Sequence, residues 1–99
     1  MHAVVNKLTL AKPLDDALLG AIDRELGPTM RKQEGFVGFH VVSVSDSEAI
    51  LVVLFDSRER LDAISREIAA PWFAEHVRPY LGGPVERVVG EVVYSSEGA

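Results

Sequence analysis

Trp72 and His76 form the most suggestive pair of side chains in this sequence. They lie four positions apart, a spacing that places them on one face of a helix together with Ile68. An indole offers a flat surface to an aromatic ligand, and an imidazole can accept or release a proton near neutral pH. The pair therefore indicates a site for a flat organic molecule beside a titratable group, although packing of Trp72 in the core explains the same spacing.

Two other polar residues stand within apolar strands. Asn6 interrupts a run of Val, Leu and Thr, and asparagine is depleted in strands, so its amide requires a partner. A bound ligand would supply that partner, and so would water at an edge or a solvent-facing position. His40 lies between Phe39 and Val41 and could exchange a proton with a ligand, while a structural histidine explains that position as well.

Residues that follow the second predicted helix complete the candidate set. Arg78 and Tyr80 could orient an oxygen-bearing ligand, or could lie solvated at the surface. The three histidines, at His2, His40 and His76, lack the spacing typical of metal ligands. The sequence also lacks phosphate-binding glycine loops, zinc-protease motifs, nucleophile elbows and calcium loops. We therefore predict no metal site and expect any chemistry to come from isolated polar side chains.

Composition narrows the classes of function. Of the 99 residues, 47% are hydrophobic and 25% are charged, which is ordinary globular usage. The formal charge of −5 and the scattered Lys and Arg residues argue against nucleic acid and membrane surfaces as partners. No apolar run approaches the roughly 20 residues of a membrane span, and no signal-peptide pattern opens the sequence. Since cysteine is also absent, which fits a reducing compartment, we expect a cytoplasmic protein.

The elements that must position these residues follow the order β, α, β, β, α, β. The β-rich runs span residues 3–10, 36–44, 48–55 and 85–94. One amphipathic helix is predicted from Leu14 to Leu26. A second begins after an N-cap at Ser57 and carries Leu61, Ile64, Ile68 and Trp72 on one face. This order predicts a single α+β domain over residues 1–99, ordered from about 3 to 94. Its fold is expected to be ferredoxin-like, with a four-stranded antiparallel sheet and two helices on one face.

Proline and glycine mark the expected helix boundaries. Gly27-Pro28 should break or kink the first helix, because proline lacks a donor and crowds the preceding turn. Pro71 should likewise kink the second helix or start a new one. Gly35 is expected to let the chain leave the first helical segment in a left-handed conformation.

Several strands are apolar on both faces. Residues 49–55 read Ala-Ile-Leu-Val-Val-Leu-Phe, and paired valines occur at 41–42, 88–89 and 92–93. Because two helices cover only one face of a four-stranded sheet, the other face needs a cover that the chain itself does not supply. We predict that a second copy covers it in a twofold homodimer, with a heteromeric partner as the alternative.

Three short motifs accompany this order of elements. Residues 35–39 (Gly-Phe-Val-Gly-Phe) open the hairpin, residues 55–57 (Phe-Asp-Ser) lead into the second helix, and Trp72 and His76 lie late in that helix. With these motifs the sequence resembles the antibiotic biosynthesis monooxygenase domain family over residues 3–94. The resemblance implies a dimeric α+β barrel with a pocket between sheet and helices.

The resemblance also implies a reaction. Some members of that family oxygenate polycyclic aromatic or quinol-type substrates without metal, flavin or other cofactor, because the deprotonated substrate itself reduces oxygen. In that case Asn6 would orient a carbonyl group, Trp72 would stack on the substrate and His76 would accept its proton. The further substrate contacts would be His40, Arg78 and Tyr80.

Two alternatives stay open at this stage. A dimeric pocket protein of this kind could bind a hydrophobic metabolite without catalysis, so the sequence leaves enzyme activity undecided. Haem-degrading relatives use a first-strand Asn, a second-helix Trp and an iron-ligating His. Asn6 matches that pattern, but the Trp position of those relatives falls near Ile64 rather than at Trp72.

Overall fold

An antiparallel sheet covered on one face by two helices makes up residues 1–96, which the computed structural model describes. The elements in chain order are β1 (His2–Thr9), α1 (residues 16–31), β2 (Phe36–Ser45), β3 (Glu48–Phe55), α2 (residues 58–76), a 3₁₀ turn (Arg78–Tyr80) and β4 (Glu86–Glu91). The strands lie in the order β2-β3-β1-β4. The predicted ferredoxin-like fold is therefore confirmed, while the last three residues of the predicted 1–99 domain lie outside the described residues.

Side chains alternate strictly between the two faces of the central strands. On β3, Ala49, Leu51, Val53 and Phe55 are buried against the helices. The residues between them point to the opposite side of the sheet, which we call the open face. The register places one row of the open face across all four strands: His40, Val52, Val5 and Val88. The neighbouring row, which faces the helices, consists of Val41, Leu51, Asn6 and Arg87.

The core fills the space between the sheet and the helices in two adjoining clusters. Leu8 belongs to the first cluster and Val4 to the second, so β1 runs beneath both. Phe39 and Trp72, which are only half-buried, pack against both clusters. Trp72 therefore lies at the junction of the two clusters.

A π turn interrupts each helix. In α1 the turn Ile22–Leu26 lies between the α-helical segments Asp16–Ala21 and Gly27–Arg31. In α2 the turn Ser65–Ala69 lies between Arg58–Ile64 and Ala70–His76. Each turn is followed by a proline in the first positions of the next α-helical segment, where the wider turn relieves the crowding that a proline ring causes. Of the predicted break or kink at Gly27-Pro28, the break does not occur, because the π turn carries the helix past the proline.

Polar side chains begin the helices, and a glycine ends the first. The N–H of Leu18 donates to Asp15 Oδ1 at 2.9 Å. At the start of α2, the N–H of Arg60 donates to Ser57 Oγ at 3.3 Å, which confirms the predicted N-cap. After α1, Gly35 has a φ of 84°, which confirms the predicted left-handed exit.

The open face carries exposed valines in this protomer. Val42 is 45% exposed and Val88 is 56% exposed. Strand β4 ends at Glu91 rather than at Tyr94 as predicted, although the N–H of Val92 still donates to the Met1 carbonyl at 2.9 Å. Within residues 1–96, no helix has the length and apolar character needed to cross a membrane.

Candidate functional site

The rings of Trp72 and His76 stack on one another, as their spacing indicates. Their centroids are 4.0 Å apart and their planes are 10° from parallel. Both residues belong to Ala70–His76, the α-helical segment that follows the π turn of α2. Because Trp72 packs against the core and the His76 side chain is 25% exposed, the imidazole is the member of the pair that an incoming ligand can reach.

A carboxylate from the other helix joins this stack. Glu25 lies in the π turn of α1, and its Oε1 accepts from Trp72 Nε1 at 3.4 Å. The same oxygen lies 3.6 Å from His76 Nε2. We call Glu25, Trp72 and His76 the stacked cluster. Sequence analysis missed Glu25, since this contact joins residues 47 positions apart and no local pattern marks it.

Hydrogen bonding determines which nitrogen of His76 is basic. Nδ1 lies 3.1 Å from the carbonyl oxygen of Trp72, which can only accept, so Nδ1 is assigned the hydrogen. In the neutral ring the lone pair then lies on Nε2. The 3.6 Å between Nε2 and Glu25 exceeds the roughly 2.7–3.2 Å of a hydrogen bond. Nε2 is therefore able to accept a proton from a ligand.

Asn6 lies on the helix-facing side of β1, half-buried between Val4 and Leu8. Trp72 packs against the two clusters that contain these neighbours, so Asn6 and Trp72 both border the same two clusters. The register places Arg87 of β4 directly opposite Asn6. Arg87 is exposed and extends the polar character of this row, a placement that only the strand pairing reveals.

His40 lies away from the stacked cluster. It is exposed, and its register partner Val52 places it on the open face. His40 lines a groove of about 870 Å³ along the edge of β2, with Leu19 and Arg31 of α1 and Tyr94 on other walls. None of the other five predicted site residues lines this groove.

Tyr80 is buried, whereas Arg78 is exposed. Tyr80 is 8% exposed, and its hydroxyl donates to Asp15 Oδ1 at 2.7 Å. Lys12 Nζ lies 4.3 Å from the centre of the Tyr80 ring. The solvated position is therefore wrong for Tyr80, because Asp15 and Lys12, which precede α1, pack over it. It is correct for Arg78, which is exposed.

The hydrogen bond between Tyr80 and Asp15 changes the acidity of both groups. This bond, followed by the one from the Leu18 N–H, lowers the pKa of Asp15 below its ordinary value. The same bond, with partial burial, raises the pKa of Tyr80. Together these contacts fasten the start of α1 to the 3₁₀ turn that follows α2.

Metal-ligating side chains are dispersed across residues 1–96. Within this part of the chain, no three His, Asp or Glu side chains lie close enough together to hold a metal ion. The stacked cluster contributes one imidazole and one carboxylate, which suit proton transfer.

The fold is shared with solved structures of bacterial oxygenases. SnoaB, a cofactor-independent oxygenase from Streptomyces nogalater, matches with a TM-score of 0.72 and 12% identity over 98% of this chain and 97% of its own. A monooxygenase from Streptomyces coelicolor, solved with the ligand nanaomycin D, matches with a TM-score of 0.71 and 16% identity over 95% of this chain and 92% of its own.

A third structure of the same fold comes from Nitrosomonas europaea and carries a provisional assignment as an antibiotic biosynthesis monooxygenase. It matches with a TM-score of 0.74 and 16% identity over 95% of this chain and 100% of its own. No family model and no curated protein matches the sequence. The resemblance to antibiotic biosynthesis monooxygenases is thus confirmed at the level of the fold.

Proposed function

We propose that this protein is a cofactor-independent monooxygenase that acts on a polycyclic aromatic or quinol-type molecule bound between helices and sheet. The observation that carries the proposal is the stacked cluster, in which an indole packed on the core lies parallel to an imidazole with an accessible basic nitrogen. The fold shared with the oxygenase SnoaB and with the monooxygenase solved with nanaomycin D supports the same class of reaction.

The residues of the site would bind the substrate and remove one proton. His76 Nε2 accepts the proton of an acidic C–H or O–H group, and the electron pair stays on the aromatic system. Trp72 supplies the aromatic wall of the site through His76, whose stacked imidazole presents the face that the substrate rings reach. The Asn6 amide donates to the substrate oxygen on which negative charge develops.

The resulting carbanion reduces dioxygen, and the atoms balance without a further reactant. For a methylene carbon the overall change is CH2 + O2 → C=O + H2O. The carbon loses four electrons, one oxygen atom enters the product and the other leaves as water. The protein contributes by positioning the substrate, by excluding water and by holding the proton until it is returned to the departing oxygen.

Oxygen uptake with anthrone, a flat polycyclic ketone with an acidic methylene group, tests this proposal. We expect uptake in the presence of a chelator, and we expect His76→Gln to lower kcat about 100-fold or more, the size of a lost general base. His2→Gln is the matched histidine control, since His2 lies at the start of β1 outside the stacked cluster, and it should retain activity. Absence of uptake with anthrone and related quinols would contradict the proposal.

A second candidate function is non-catalytic binding of a hydrophobic metabolite. The groove at the β2 edge favours it, because about 870 Å³ lies within the range of ligand pockets and the proposed base does not line it. Tight retention of an apolar ligand in native mass spectrometry, without oxygen uptake, would support this candidate. A Soret band on addition of haem would instead support the haem-degrading alternative.

We also propose that the open face packs on a second copy of the chain. Val42 and Val88 are about half exposed, and Val5 and Val52 lie in the same face of the sheet. A twofold axis would bury this apolar surface against an identical one.

A further inference from the structure

We infer that Glu25 is a positioning residue of the site, which holds Trp72 and His76 and stabilises the charge that His76 gains when it accepts the substrate proton. The inference rests on the proposed function and adds to it a residue from the other helix.

Glu25 orients the stack through a single oxygen. Its Oε1 accepts from the indole N–H of Trp72 and faces His76 Nε2. The opposite ring nitrogen of His76 is held by the Trp72 carbonyl. The Trp72 carbonyl therefore orients the imidazole through Nδ1, and Glu25 lies beside Nε2.

Charge becomes important when the proton arrives. A C–H or O–H bond of the substrate breaks, an Nε2–H bond forms, and the electron pair stays on the substrate. The positive charge on the ring then lies 3.6 Å from the Glu25 carboxylate, close enough for the two opposite charges to attract. A carboxylate beside the accepting nitrogen stabilises the imidazolium ion by charge. The aspartate of a catalytic triad acts instead from the opposite ring nitrogen.

Among residues 1–96, Glu25 is the one carboxylate that lies within 4.0 Å of a ring nitrogen of His76. On its own helical segment, His76 has Glu75 as its neighbour, and Arg78 follows in the 3₁₀ turn; both are exposed. Glu25 is also well supported, because the next residue, Leu26, is buried in the core and fixes the π turn. Single π turns are frequently found at functional sites.

Glu25→Gln isolates the charge, since glutamine keeps an oxygen that can accept from Trp72. With anthrone as substrate we expect kcat to fall about two- to fivefold, as for loss of a half-exposed charge, while KM changes less than about twofold. Glu67→Gln is the matched control, because Glu67 is an exposed glutamate in the π turn of α2. Glu25→Asp should recover part of kcat. A Glu25→Gln variant with unchanged kcat would overturn the inference.

A binding measurement without turnover separates this inference from the proposed function. Danthron, a dihydroxyanthraquinone that is largely neutral in neutral water, absorbs at longer wavelength when ionised. Under anaerobic conditions we expect the wild type to bind it as the anion and Glu25→Gln to lower the bound anion-to-neutral ratio about two- to fivefold. An equal ratio in both proteins would overturn the proposed role of Glu25 and leave the proposed function standing. If the wild type neither binds danthron nor oxidises anthrone, the proposed function is overturned, and the inference with it.

Discussion

Trp72 has two roles at the scale of single residues, and they can be separated by substitution. Its ring packs against both core clusters, while its N–H donates to the exposed Glu25. We expect Trp72→Ala to lower the free energy of unfolding by about 3 kcal/mol, measured by urea denaturation, because the junction of the two clusters loses its filling. Trp72→Phe, which keeps a ring but loses the donor, should cost less than about 1.5 kcal/mol. An Ala variant as stable as the wild type would exclude a structural role.

The hydrogen-bonded pair of Asp15 and Tyr80 makes the free energy of unfolding depend on pH. Because the pKa of Asp15 is lowered in the folded protein, its contribution is present above the ordinary Asp pKa of about 4 and is lost as pH falls through the lowered value. For Tyr80, whose pKa is raised, the contribution is present below about pH 10 and is lost as pH rises through the raised value. We expect Asp15→Asn to flatten the acid side of this dependence.

Urea midpoints recorded from neutral to acidic pH would measure the effect. Asp16→Asn is the appropriate control, since Asp16 is the neighbouring carboxylate in the first turn of α1. A wild type that loses stability on acidification no faster than Asp15→Asn would contradict the prediction.

The residue scale also shows where sequence reasoning succeeds and fails for the site. The stacking of Trp72 on His76 was predictable because a helix brings residues four apart together. The role of Glu25 and the burial of Tyr80 were not predictable. Glu25 contacts Trp72, which is 47 positions away, and Tyr80 contacts Asp15, which is 65 positions away. Side chains so far apart in the chain carry no mutual pattern that a single sequence displays.

At the scale of elements, Gly35 sets the path from α1 into β2. Its φ of 84° lies in the left-handed region, and a Cβ there would collide with the Asp56 carboxylate and lie 2.8 Å from Arg60 Cδ. We expect Gly35→Ala to lower the free energy of unfolding by about 1–2 kcal/mol or more, measured by urea denaturation. Gly90→Ala, where a Cβ meets nothing within 4 Å, should be neutral or slightly stabilising. Equal stabilities would contradict the steric argument.

The presence of both helices was predictable from the sequence, whereas the π turn inside each helix was not. The Ser57 cap, the hairpin strands and the glycine exit depend on neighbouring residues, and the sequence predicted them. The π turns arise where apolar residues recur in steps of four, as in Ile64, Ile68 and Trp72, since a regular helix of 3.6 residues per turn would rotate such residues out of line. The wider turn keeps them facing the sheet, and it also accommodates Pro28 and Pro71.

At the scale of the whole molecule, the open face determines the expected oligomer. Val52 lies at its centre, in register with Val5 and His40. We expect Val52→Asp to convert a dimer into a monomer in sedimentation or light-scattering experiments, because the substitution places a charge in the proposed interface. Circular dichroism should show an unchanged fold. Ser45→Asp, at the exposed end of β2, is the control for added charge and should remain dimeric. A wild-type monomer, or a dimer that survives Val52→Asp, would contradict the proposed interface.

The position of Trp72 has one more consequence, which is optical. It is the only tryptophan in the chain, so the intrinsic fluorescence of the protein originates at the junction of the core clusters and in contact with the proposed base. A stacked imidazole quenches indole emission, and a flat absorbing ligand beside the ring would quench it further. The unlabelled protein thus contains its own reporter, whose emission follows the closure of α1 on α2 during folding and the arrival of a ligand in the folded state.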